Sequence, residues 1–122
     1  MDFVVSQMVL ETANLTSFWS QRPRRNPAGI GVTGEPGAGV SFGSWPKAVR
    51  AHAGRLLAYA LPLDGENSLQ RALIDEALTW RPLPANRRGV ASTLQGLAGT
   101  WATDLEYADK ISRIANEIRL MR

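Results

Sequence analysis

One carboxyl group in this sequence stands where a carboxylate is poorly accommodated. Glu11 closes an apolar stretch in which Val4, Val5, Met8, Val9 and Thr12 recur at helical spacing, just before the chain turns irregular. The carboxyl end of a helix carries partial negative charge and apolar neighbours strip water. Both effects favour the protonated acid, so the pKa of Glu11 is expected to be raised. An acid that keeps its proton near neutral pH is what general-acid cleavage of a glycoside requires. A solvated glutamate at a frayed helix end has the same spacing, so position alone leaves both readings open. Cleavage by water also calls for a base or an electrostatic partner across from the acid.

What the sequence lacks narrows the other chemistries. It has no cysteine, which excludes disulfides, thiolate nucleophiles and sulfur-ligated zinc. His52 is the one imidazole, whereas catalytic zinc ordinarily takes two or three, so neither a metal nor a cofactor is expected. His52 falls in the middle of an expected helix and reads as a structural residue. Trp19, Trp45 and Trp101 can stack on sugar faces, although tryptophans in a small helical domain more often fill the core.

The elements that must position these residues are mostly helices. Residues 1–122, with 44% apolar content, fit a single domain and are too few for a doubly wound enzyme or a barrel. The first helix is expected over Asp2 to Thr12, with its apolar residues buried and Asp2 as its cap. From Asn14 to Gly43 prolines and glycines forbid a long helix, leaving an ordered loop or a short strand pair, Ile30–Thr33 with Val40–Phe42. Ser44 caps a second helix whose stripe is Val49, Ala53, Leu56, Leu57 and Ala60, and Pro62 ends it. A third runs from about Ser68 to Trp80 with Leu69, Ala72, Leu73, Ala77 and Trp80 inward. Ser92 or Thr93 opens a short one through Leu94, Leu97 and Ala98. The last starts on the capping-box spacing Thr103 to Glu106 and continues through Tyr107, Ile111, Ile114, Ile118 and Met121.

The net charge of +3 is modest, yet twelve of the 14 cationic side chains are arginine. Guanidinium forks onto carboxylates and phosphates, which makes a polyanion a candidate partner, nucleic acid and anionic cell wall alike. Arg22, Arg24 and Arg25 form the densest cluster and Arg87 with Arg88 the second; each reads either as solvated loop charge or as a docking point for such a polymer. No apolar run approaches the roughly 18–20 residues of a membrane span, and Met1 to Leu10 lacks the basic flank and cleavage site of a signal peptide. For work outside the cell, the expectation is a mature form or an excised domain.

The run Ser6-Gln7-Met8-Val9-Leu10-Glu11-Thr12, followed by Asn26-Pro27-Ala28-Gly29-Ile30, resembles the glucosaminidase family of peptidoglycan hydrolases. In that family an apolar helix ends in Gln-x-x-x-Glu-Ser or Glu-Thr, and an Asn-x-x-Gly-Ile segment floors the cleft. The resemblance resumes at Val40-Ser41-Phe42-Gly43-Ser44-Trp45. It closes with Leu97-Ala98-Gly99-Thr100-Trp101-Ala102-Thr103-Asp104-Leu105-Glu106-Tyr107-Ala108-Asp109-Lys110-Ile111, similar to the family's Tyr-Ala-Thr-Asp-Pro-x-Tyr-x-x-Lys-Ile signature. Trp101 stands for the first tyrosine of that signature and Leu105 for its proline. The stretch from about Leu61 to Val90 carries little likeness, and the family's usual helix before the catalytic one has no counterpart here.

The resemblance implies a mainly α, lysozyme-like single domain with a reduced β-lobe or a Gly/Pro-rich loop. It implies an endo-β-N-acetylglucosaminidase that cuts the β-1,4 linkage after N-acetylglucosamine in peptidoglycan, at the cell wall or outside the cell. Glu11 would be the catalytic acid. Thr33-Gly34-Glu35 matches the family's Thr-x-Glu pattern and makes Glu35 the candidate second carboxylate, unless the substrate's acetamido oxygen takes that role. Tyr107, Gln7, Asn26 and Trp101 would bind substrate, and Asp104 would cap the last helix. Arg22, Arg24 and Arg25 would hold the anionic wall. The expected partners are glycan strands rather than nucleic acid, and the uncovered apolar face of the first helix leaves room for a homodimer. Three alternatives stand beside this reading: a lytic transglycosylase using Glu11 alone, a catalytically dead wall-binding domain, and an Arg-rich module that docks on nucleic acid.

Overall fold

A computed structural model describes residues 2–33, 35 and 38–121. Four helices carry the chain: α1 (Asp2–Glu11), α2 (Trp45–Ala60), α3 (Ser68–Trp80) and α4 (Tyr107–Leu120). Single 3-10 turns lie at Phe18–Ser20, Ala85–Arg87 and Leu94–Leu97. The domain is therefore mainly α. Helix α2 packs on α3, and α1 packs on α4.

The α2–α3 pair is held by small residues at close range. Ser44 Oγ accepts the N–H of Lys47 to start α2, and Asn67 with Gln70 forms a reciprocal capping box at the start of α3. The inward face of α2 is Ala48, Ala51, His52, Gly54, Ala58 and Tyr59 rather than the stripe through Val49, which is 37% exposed. The reason is proximity: a Cβ on Gly54 would lie 2.1 Å from the carbonyl oxygen of Leu73, so only the alanine and glycine face lets the two helices touch. On α3, Ile74 and Ala77 are buried, while Leu69, expected inward, is 72% exposed.

The α1–α4 pair has a different interior. Helix α1 is apolar almost all round, so its sequence sets no phase. The residues it buries are Ser6 and Gln7, while Phe3 and Val5 are 41% and 38% exposed. Helix α4 buries Tyr107, Ala108, Ile111 and Ala115 against it, and Met121 is exposed. The expected Thr103–Glu106 capping box is not formed. Glu106 is the N-cap without a side-chain bond, and Asp104 Oδ1 instead accepts the Glu106 N–H at 2.9 Å, closing the turn that precedes the helix.

No strand occurs among the described residues, so the described part of the segment between α1 and α2 is loop and 3-10 turn and forms no β-lobe. Ile30 and Val40 keep a single backbone bond of 3.1 Å from the expected pairing. Asn26 explains why no ladder grows: its Nδ2 donates to the carbonyls of both Ile30 and Val40 at 2.9 Å, and its Oδ1 accepts the Ile30 N–H at 2.9 Å. The core lies on either side of Trp101. Ala28, Ile30, Phe42, Ala48 and Ala51 pack on one side, and Tyr59, Ala91, Leu97, Tyr107 and Ile111 on the other.

Candidate active site

Helix α1 ends where α4 begins, and that meeting sets Glu11, the last residue of one, beside Tyr107, the first residue of the other. The Tyr107 phenol donates to Glu11 Oε1 at 3.0 Å. Behind the phenol, Gln7 Nε2 donates to Tyr107 Oη at 3.1 Å, and Gln7 Oε1 faces His52 Nε2 at 2.9 Å. The directions are fixed along the chain. Because the amide nitrogen of Gln7 points at the phenol, its oxygen must accept, so His52 carries its proton on Nε2. Tyr107 then has only its own O–H to offer Glu11. Three of these residues have almost no exposed surface: Gln7 and His52 are 0% exposed and Tyr107 is 2%.

Electrostatics keep the chain in that state. Burial lowers the His52 pKa to about 4, so the imidazole is neutral at ordinary pH. Burial, reinforced by the charge of Glu11, lifts the Tyr107 phenol above its usual value, so it remains a donor. Glu11 itself is raised above the ordinary carboxylate value by burial of its inner side, while hydrogen bonds from Tyr107 and Trp101 pull the other way. The outer edge of Glu11 stays exposed.

Glu11 stands at the junction of two hollows. The larger, about 410 Å3, is lined by Ala28 to Thr33 of the loop, Arg55 and Tyr59 of α2, Arg81, and Trp101 to Thr103. The smaller, about 230 Å3, runs past Thr12, Ser17, Trp19, Asn26, Gly29 and Val32. The larger falls in the range of small-ligand pockets, about 300–1,000 Å3. Trp101 forms part of the wall, backed by His52 at 5.7 Å and by the edge of Tyr59 at 5.2 Å between ring centroids.

The other expected site residues are placed differently. Glu35 is exposed and lines neither hollow, its turn closed by Ala38 N–H on its own carbonyl at 3.1 Å. Gly34, in the Thr33-Gly34-Glu35 pattern, lies outside the described residues. Among the described residues Glu11 is thus the one carboxylate in either hollow. Gln7 and Asn26 are fully buried; Gln7 serves the site through Tyr107, and Asn26 shapes the loop behind the smaller hollow. Arg24 stacks over Phe18 at 3.5 Å, and Arg25 reaches the carbonyls of Pro23 and Phe42, so these two brace their own loop, and neither they nor Arg22 line either hollow. Arg88 is drawn inward toward Glu66 at 3.7 Å. Trp45 is 40% exposed at the start of α2, and Trp19 packs over Gly39. Asp104 pairs with Lys110.

Sequence reasoning missed Arg55, Tyr59 and Arg81 as lining residues. The signal was present: His52, Arg55 and Tyr59 are spaced to share one face of α2, and the helix buries that face. Among the described residues no group of His, Asp or Glu side chains is arranged to hold a metal ion.

These features define a mainly helical domain with a cleft built around one acid. No family model matches the chain, and no solved structure matches it. The chain is similar to a protein of Borreliella burgdorferi that bears the name "uncharacterized protein", with 29% identity over 118 residues, 96% of this chain and 53% of that protein. The chain thus spans about half the length of the curated relative it matches. No helix among the described residues is long and apolar enough to cross a membrane.

Proposed function

We propose that this domain cleaves the glycan strands of peptidoglycan at the β-1,4 linkage after N-acetylglucosamine, with Glu11 as general acid, acting at the cell wall or outside the cell. The observation that carries the reading is a carboxyl with a raised pKa at the meeting of two hollows, open on its outer edge and held through one oxygen by a buried phenol. Since Tyr107 donates to Oε1, the transferable proton sits on Oε2. That proton passes to the glycosidic oxygen as its bond to the anomeric carbon breaks. With Glu35 outside the cleft, the partner across from the acid is the sugar's own 2-acetamido oxygen, which bonds to the anomeric carbon. Water then opens that intermediate and returns a proton to Glu11.

The lone carboxylate favours one second reading. Glu11 can act first as acid and then as base toward a hydroxyl of the same sugar, releasing an anhydro product one water lighter, as a lytic transglycosylase does; product mass separates the two. The test common to both is clearing of a purified peptidoglycan suspension. Glu11→Gln removes the transferable proton and should slow clearing by about 10²- to 10⁴-fold. The wild-type rate should fall as pH rises through the Glu11 pKa, because the protonated form is the active one. Equal clearing by both proteins overturns the reading.

A further inference from the structure

The cleft ends in a group of cations that the acid chemistry does not use. Arg55 and Arg81 line the larger hollow, and a further hollow of about 330 Å3 shares these two side chains and Tyr59 and reaches Arg87. Arg50, Arg71, Arg88 and Arg119 each face a carboxylate. Among the described residues Arg55, Arg81 and Arg87 face none within ion-pairing distance. Their contacts orient them without neutralising them. Arg55 Nη1 donates to the Arg81 carbonyl at 2.8 Å, and Arg87 Nη1 to the Thr100 carbonyl at 3.1 Å. Arg81 Nη1 passes 3.4 Å from where a Cβ would stand on Gly31, a residue at φ +77°. Arg55 is partly buried; burial and the charge of Arg81 disfavour its charged form, while the Tyr59 phenol, over whose ring the guanidinium lies at 5.9 Å, favours it. Arg81 and Arg87 are exposed; like charges gathered along one wall raise the energy of the empty site, and an entering anion relieves it.

We infer that Arg55, Arg81 and Arg87 form an anion subsite continuous with the Glu11 cleft, which takes the carboxylate or phosphate oxygens borne by the polymer whose sugar backbone lies at Glu11. The identity of the polymer rests on the function proposed above; the anion site needs only the arginines. Wall material offers two sources of this chemistry, the carboxylates of its peptide and lactyl substituents and the phosphodiesters of attached polymers.

Co-sedimentation with purified walls tests the subsite, using Glu11→Gln protein so that the walls are not consumed. Adding Arg55→Gln or Arg81→Gln should weaken binding to untreated walls by about tenfold each. Arg50→Gln, which removes the same charge from an ion pair outside the cleft, should leave binding unchanged. Walls stripped of phosphodiesters with hydrofluoric acid and walls with amidated carboxylates form the second arm. The treatment that costs the unsubstituted arginine protein the same factor identifies the source, and this arm does not depend on how an arginine variant folds. The inference is overturned if the arginine variants bind untreated walls as tightly as the parent, or if walls given both treatments bind the parent undiminished. Should wild-type protein release no reducing ends while arginine-dependent binding persists, the glycosidase reading fails and the anion subsite stands.

Discussion

The two helix pairs of this domain solve the packing problem in opposite ways. Helices α2 and α3 meet where Gly54 faces Leu73 and Ala77, with backbone close to backbone. Helices α1 and α4 meet around Ser6, Gln7 and Tyr107, giving part of their interface to hydrogen-bonded polar groups that an apolar contact would not need. The first arrangement is scaffold. The second resembles it in burial but differs in purpose, since each link in its polar chain ends at Glu11. A buried amide that satisfies two neighbours costs little, whereas one left unpaired is destabilising by about 1–3 kcal/mol. The polar pair is therefore stable only while the whole chain is intact.

That contrast can be broken from the polar side first. Gln7→Leu removes the partner shared by His52 Nε2 and the Tyr107 oxygen, and should lower unfolding free energy by about 3 kcal/mol, from two lost bonds and an unpaired His52 N–H. Chemical denaturation measures it, and a loss below about 1 kcal/mol would mean the chain carries little. Gly54→Ala attacks the other pair. Its new methyl meets the Leu73 carbonyl and forces the helices apart, for a loss of about 3 kcal/mol by the same method.

The smallest effect sharpens the comparison through pH. His52 has a folded pKa of about 4 against 6.5 when unfolded, so the unfolded chain binds more protons between those values. The stability contribution is complete above pH 6.5 and is lost as pH falls towards 4, amounting to about 2 kcal/mol by pH 5. His52→Gln retains a donor for Gln7 and should remove this slope; an unchanged slope would place the proton uptake elsewhere.

The same contrast explains what the sequence made legible. Ser44, Pro46 and Pro62 mark the limits of α2, and Ser68 to Trp80 is α3 as expected, because capping residues and prolines act locally. The inward faces were harder to read. Apolar periodicity pointed to Val49 and Leu69, but the close approach at Gly54 selects the small-residue face. In α1 there is no polar face to set a phase, and what turns Gln7 inward is the position of Tyr107 and His52, 100 and 45 residues away. The strand pair fails for a similar reason: Asn26 bonds the carbonyls of Ile30 and Val40, so one backbone bond between them remains, and Glu35 lines neither hollow. Local position left both readings of Glu11 open; the raised pKa comes from burial, and burial, like the supporting chain, depends on tertiary contacts.

The central claim is that Glu11 holds its proton above the normal carboxylate range while a buried phenol fixes its orientation. A carbon-13 NMR titration of the Glu11 side-chain carboxyl measures this without substrate. The account predicts a midpoint above the ordinary value of 4.5, moving higher still in Tyr107→Phe, because the lost hydrogen bond favoured the ionised form. A midpoint at or below 4.5, or one that Tyr107→Phe leaves in place, would contradict it.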